Sequence, residues 1–178
     1  KFEISANSPI RHHLDGIQET IFRAKELIKQ IKVFSRQNLL APKPIRLKAV
    51  VEKAVASVKA TVPDTIDLRL SIDSDARIMA DEVPVKQVVS NLCMNAVNAM
   101  VDTGGTLTVG LSTLGLTQET ARRHSELQSG DYAKLTVADT GRGIPAEHLE
   151  RIFEPFFTTR KREGGTGMGL AIIHGIVK

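Results

Sequence analysis

From Ile10 to Ile31 the apolar residues Ile10, Leu14, Ile17, Ile21, Ala24, Ile28 and Ile31 recur at intervals of 4, 3, 4, 3, 4 and 3. Unbroken threes and fours place these side chains on one seam of a helix, and such a seam needs a second helix to cover it. Ser8-Pro9 supplies an N-cap followed by proline at the first helical position, the preferred entry chemistry. Leu27 and Phe34 widen the stripe. The seam predicts a long helix paired with another, in this chain or a second copy; an ordinary surface helix carries a looser period. From Asn38 to Ile45, Pro42 and Pro44 interrupt any helical pattern. Residues 41–46 are therefore expected to form a linker between a helical part, residues 1–40, and a domain, residues 47–178.

In the second part Leu47, Val50, Val51, Ala54, Val55 and Val58 carry a helical stripe. Ile66 to Ile72 alternates apolar and polar residues, the mark of a half-buried strand, and Arg77 to Ala80 reads as a short paired strand. A helix is expected over Val83 to Met100, ended by Gly104-Gly105, followed by a strand over Thr106 to Leu111. The polar stretch Gly115 to Gly130 reads as a surface insertion with helix-like pieces, and Tyr132 to Ala138 as a further strand with Leu135 and Val137 on one face. A last helix is expected from about Met168 onward. Strands and helices mix without regular alternation, which predicts an α+β fold with helices on one face of a mixed sheet.

Composition narrows the function. The net charge of +4 is mild, there is no Trp and one Tyr, and acidic residues interleave with the basic ones. Nucleic-acid binding, which favours basic residues gathered beside aromatics, is not expected. The lone Cys93 cannot form an intrachain disulfide and agrees with a reducing cytosol. No apolar run approaches the roughly 18 residues of a membrane span, so no direct membrane contact is expected from this piece. The abrupt start and stop read as those of an excised fragment, which leaves room for a membrane-anchored parent.

Three segments carry chemistry. The run Gly165-Thr166-Gly167-Met168-Gly169-Leu170 opens a helix. Glycines there let backbone N–H groups approach an anion at the positive end of the helix dipole, although a plain flexible loop would look the same. Neither a P-loop nor the dinucleotide-binding fingerprint is present. Asp139-Thr140-Gly141-Arg142-Gly143-Ile144-Pro145 follows a strand directly. Its carboxylate is an acceptor suited to an exocyclic amino group, and Gly141 and Gly143 allow close approach of a ligand, with an ordinary Asp-x-Gly turn as the alternative. Asn91 and Asn95, spaced i, i+4, project from one helix face and interrupt an apolar run. A buried amide needs partners; bound Mg²⁺ would satisfy a side-chain oxygen, as would capping of a neighbouring backbone group.

Together these segments resemble the signature boxes of bacterial sensor histidine kinases. Residues 87–100, from Gln87 to Met100, are similar to their N box and residues 139–145 to the G1 box. Phe153-Glu154-Pro155-Phe156-Phe157-Thr158-Thr159 is similar to the F box and residues 165–170 to the G2 box. The seam helix, with Arg23-Ala24 and Phe34-Ser35-Arg36, resembles the second dimerisation helix. The resemblance implies the Bergerat ATP-binding fold, a two-layer α/β sandwich shared with DNA gyrase and MutL. It implies ATP and Mg²⁺ as cofactors and ATP-dependent protein-histidine kinase activity. Asn95 would coordinate the metal and Asp139 would accept from the adenine amino group. Gly141 and Gly143 would pass beside the nucleotide, and Thr158, Thr159 and Arg160 would belong to a mobile lid. Gly165, Thr166, Gly167 and Gly169 would cradle the phosphates, and Asn91, Ile144, Phe156, Met168 and Leu170 complete the expected nucleotide set.

Lys161 and Arg162 read as solvated loop residues. His12 and His13, in Arg11-His12-His13-Leu14-Asp15, fit the family's phosphoacceptor pattern poorly, so that histidine is expected on a first helix outside this chain. The resemblance also implies that the chain stops before the family's final strands. Expected partners are a second copy, through the seam helix, and a response regulator. The alternatives are a Bergerat-fold ATPase, or a nucleotide-binding dimerisation module without kinase activity. An ATPase would want an acidic residue on the N-box helix, where Gln87 and Asn91 stand instead.

Overall fold

The computed structural model describes residues 42–122, 127–160 and 165–177. The seam over Ile10 to Ile31, with His12 and His13, lies outside the described residues.

Leu47–Lys59 forms helix α1, and its stripe Leu47, Val50, Val51, Ala54, Val55 and Val58 is buried throughout. Strand β2 (Ile66–Ile72) follows, then β3 (Arg77–Ala80). Helix α2 (Glu82–Met100) starts where the Asp81 side chain accepts from the Val83 N–H at 2.9 Å, an N-cap with Glu82 favourably placed at the positive end of the dipole. It ends at the glycine pair, with Gly104 N donating to Met100 O at 2.8 Å. Strands β4 (Gly105–Leu116) and β5 (Gly130–Asp139) flank a short helix α3 (Gln118–Arg122), and helix α4 (Gly169–Val177) comes last among the described elements.

Strands β2, β4 and β5 form one sheet in that order, β2–β4 parallel and β4–β5 antiparallel. Parallel neighbours need a crossover, and here the connection carries β3 and α2. Helices α1 and α2 cover one face: Val51, Ala54, Val55, Val89, Cys93, Val97 and Met100 pack with Leu107, Val109 and Leu111 of β4 into one core. The result is the expected α+β layering of helices on a mixed sheet.

Two differences have clear causes. Lys43–Arg46, expected to lie in a linker, is strand β1, antiparallel to β3 with Pro44 opposite Met79 and buried Ile45 opposite Ile78. Among the described residues β1 pairs with β3 alone, and an edge strand tolerates a proline that cannot donate. Strand β4 runs on to Leu116, past the expected end at Leu111, because β5 pairs with it as far as Gly130 opposite Leu116.

Candidate functional site

Helix α2 has two working faces. One buries Val88, Val89, Cys93, Ala96, Val97 and Met100. Asn91, Asn95 and Ala99, spaced i, i+4, i+8, form a second stripe, and the glycine-bearing segments close on it. The Asn91 amide donates through Nδ2 to the Gly169 carbonyl at 3.3 Å, fastening the first residue of α4 to α2. Asn95 stands one turn further along, where a Cβ on Gly169 would lie 3.5 Å from its Oδ1. At the third position Ala99 O accepts from Arg142 N at 3.3 Å. Gly141 sits so close that a Cβ on it would meet Ala99 O at 2.7 Å and Ala99 Cβ at 2.8 Å.

The two asparagines differ. Asn91 is half-buried and its amide serves a neighbouring backbone group. Asn95 is exposed, not buried as its place in an apolar run suggested, because the α2 stripe faces away from the core. Among the described residues its carboxamide makes no hydrogen bond.

Asp139 is the last residue of β5, opposite Leu107, and is exposed. Its Oδ1 accepts from Gly141 N at 2.9 Å, closing the turn into the next segment. A carboxylate offers about four acceptor positions, so most of its capacity remains available. The space that glycine provides at Gly141 is taken up by Ala99 of this chain, while a Cβ at Gly143 (φ +67°) would meet nothing within 4 Å. Ile144 beyond it is 52% exposed.

The segment from Phe153 to Arg160 is tied to the G2-like run. Phe156 adopts φ 67°, a left-handed conformation that is an outlier for a bulky residue. Gly167 (φ +67°) packs on that strained turn: a Cβ there would overlap the Phe156 carbonyl carbon and lie 2.7 Å from Phe157 O. Gly165 N donates to Arg160 O at 3.0 Å, and Arg160 N donates to Thr158 Oγ1 at 3.0 Å. Met168 is buried and its N–H donates to Thr166 Oγ1 at 3.4 Å. Leu170 is half-buried in the first turn of α4, and Thr159 is exposed. Phe157 lies between His148, 5.4 Å away edge-on, and the Arg151 guanidinium, 4.5 Å above its ring, while Phe153 stacks on His174 of α4 at 5.2 Å. Lys161 and Arg162 lie outside the described residues.

Sequence reasoning missed Ala99. Its signal was available, since it continues the Asn91–Asn95 spacing by one more turn. The φ of Phe156 left no signal. Cys93 belongs to the core face, where burial pushes its thiol from 9.0 to about 11.

The arrangement brings the Asp139–Arg142 turn and the start of α4 onto one face of α2, and fastens the Phe153–Arg160 segment to the Gly165–Gly167 run beside them. It presents the Asn95 carboxamide, without a hydrogen bond among the described residues, an exposed carboxylate and a glycine-rich helix start. Residues 80–178 match the family described as histidine kinase-, DNA gyrase B- and HSP90-like ATPase. The chain belongs to this ATPase family. Sensor kinase CckA of Brucella abortus (strain 2308) is 34% identical to this protein over 97% of this chain and 18% of its own length. Sensor histidine kinase TmoS of Ectopseudomonas mendocina is 34% identical over 84% of this chain and 14% of its own. The chain thus spans less than a fifth of the length of either relative. The nucleotide-free catalytic domain of histidine kinase ThkA superposes with a TM-score of 0.60 at 27% identity, covering 78% of this chain and 80% of that one. ThkA has also been solved in complex with the response regulator protein TrrA; that structure shares the fold, with a TM-score of 0.57 at 22% identity over 88% of this chain and 42% of that one. The ATPase-family domain has no described helix long and apolar enough to cross a membrane.

Proposed function

We propose that this chain is the ATP-binding part of a sensor histidine kinase, holding Mg-ATP against the Asn91–Asn95–Ala99 stripe of α2. The γ-phosphoryl group passes to a histidine on a dimerisation helix. The observation that carries this reading is the convergence on α2: the Asp139–Arg142 turn seats on Ala99 and the Gly165–Gly169 run reaches Asn91 and Asn95. Names of the relatives and the ThkA–TrrA complex support a response regulator as the recipient of the signal.

The residues divide the work. Asp139 accepts from the adenine amino group with the capacity left after Gly141 N. Asn95, exposed and without a hydrogen bond to another described residue, offers its oxygen to Mg²⁺, which otherwise prefers phosphate oxygens and water. The metal, when bound, neutralises charge on the β- and γ-phosphates. The N–H groups around Gly165–Gly169, at the positive end of α4, receive phosphate oxygens. Thr158, Thr159 and Arg160 supply donors from the segment fastened to Gly165; Arg160, with its planar guanidinium, can grip two oxygens at once. Such catalysis is mainly positioning and charge stabilisation. The seam from Ile10 to Ile31 joins two copies, and the location is cytoplasmic.

The test mixes the chain with labelled ATP, alone and with a helix bearing the acceptor histidine. Acid-labile, alkali-stable label should appear on the added helix and be negligible on the chain alone. Strong self-labelling that vanishes in a His12→Gln/His13→Gln double variant would overturn the placement of the acceptor. Phosphate release without any phosphohistidine would favour the ATPase alternative.

A further inference from the structure

We infer that Thr140 is a positioning residue for recognition of the nucleobase, holding Asp139 at the end of β5; this rests on the reading of Asp139 as the adenine acceptor. Leu107 pairs with Asp139, so Thr106 stands opposite Thr140. In a continued antiparallel ladder these two would exchange both backbone hydrogen bonds. Only one is formed between backbones: Thr140 N donates to Thr106 O at 3.2 Å. The return bond goes to the side chain, with Thr106 N donating to Thr140 Oγ1 at 3.0 Å. The hydroxyl has replaced its own carbonyl.

That substitution ends the strand at a defined residue. The Thr140 carbonyl is released to turn into the Gly141 segment, while Thr106 N–H keeps a partner, as a strand amide must. The same hydroxyl donates to the sulfur of Met100 at 3.8 Å, and Met100 is fully buried in the core. Space for this exists because residue 105 is glycine: a Cβ there would overlap Thr140 Oγ1. Asp139 is therefore held from both sides. Its own oxygen accepts from Gly141 N, and the following residue is locked to β4 and to the last residue of α2. A carboxylate that must meet an exocyclic amine within hydrogen-bonding distance needs such a fixed base.

The test compares binding of ATP and of purine riboside triphosphate, which lacks the exocyclic amine, to the 178-residue chain. Thr140→Val keeps the shape and removes the hydroxyl; Thr140→Ala removes it without crowding; Thr140→Ser restores it. Both hydroxyl-free variants should weaken ATP about three- to tenfold, the value of one ordinary hydrogen bond, and leave purine riboside triphosphate unchanged. Thr140→Ser should bind both ligands like the parent. Equal weakening of both ligands, or of neither, while Asp139→Asn abolishes the preference for ATP, would overturn the role of Thr140. Should Asp139→Asn itself leave that preference intact, the assignment of Asp139 to the base falls.

Discussion

Gly141 lies against Ala99 so closely that a Cβ on the glycine would stand 2.7 Å from the alanine's carbonyl oxygen. The contact is between a loop and the backbone of α2, so no rotamer change relieves it. Gly141→Ala should therefore lift the turn from the helix, break the Arg142 N to Ala99 O bond and misplace Asp139. ATP affinity should drop about tenfold or more, a loss on the order of 1.4 kcal/mol. Adding Ala99→Gly should not restore it, since the clash with the carbonyl remains. Calorimetric titration of the single and double variants checks both statements.

Asp139→Asn separates the two tasks of that side chain. The amide oxygen can still accept from Gly141 N, which keeps the turn, but the NH₂ group then replaces an acceptor with a donor. A charge-assisted hydrogen bond is worth roughly 1.5–3 kcal/mol, so ATP should bind about ten- to a hundredfold more weakly with the fold unchanged. Unaltered affinity in calorimetry would remove Asp139 from the base site.

Asn95→Ala should leave melting temperature nearly unchanged, because the side chain is exposed and makes no hydrogen bond to another described residue. Its effect should appear in the metal dependence: Mg²⁺ should enhance ATP binding less than in the parent, while metal-free ADP binding changes little. An identical response with and without Mg²⁺ would rule out the metal role.

Leu107, fully buried at the centre of the core, should cost about 2–5 kcal/mol when cut to alanine. Denaturant unfolding gives the number directly.

Cys93 provides a pH-dependent probe. Its thiol is raised from 9.0 to about 11 by burial, so between those values the unfolded chain loses a proton that the folded chain keeps. The folded state then binds more protons, and stability falls as pH rises through that window. Below pH 9 the contribution is fully present. Cys93→Ala should flatten the slope, and alkylation of the native protein at pH 8 should be slow until denaturant is added.

What the sequence made legible follows from periodicity. The stripe of α1 and the alternation Ile66, Leu68, Leu70, Ile72 are local patterns, and the segments containing them took the expected forms. The spacing of Asn91 and Asn95 likewise brought both to one side of α2. What escaped depends on partners distant in sequence. Pro44 sits in a strand because β3 accepts an edge with a missing donor. Ser112 to Leu116 extend β4 because β5 lies beside them, although Gly115 suggested a break. The left-handed backbone of Phe156 is set by packing against Gly167, eleven residues on, and no local preference announces it.

The two faces of α2 have a thermodynamic consequence. Val89, Cys93, Val97 and Met100 anchor the helix in the core, while Asn91, Asn95 and Ala99 on the same rigid rod meet the loops. A ligand gripping the second face cannot bind a chain in which the first has come loose, so binding and folding are linked. Saturation at a hundred times Kd adds about 2.7 kcal/mol to the unfolding free energy. The melting temperature thus becomes a binding assay. The linkage also runs in reverse: a core defect such as Leu107→Ala, remote from the loops, lowers apparent nucleotide affinity once the unfolded fraction is appreciable, and added nucleotide rescues its fold.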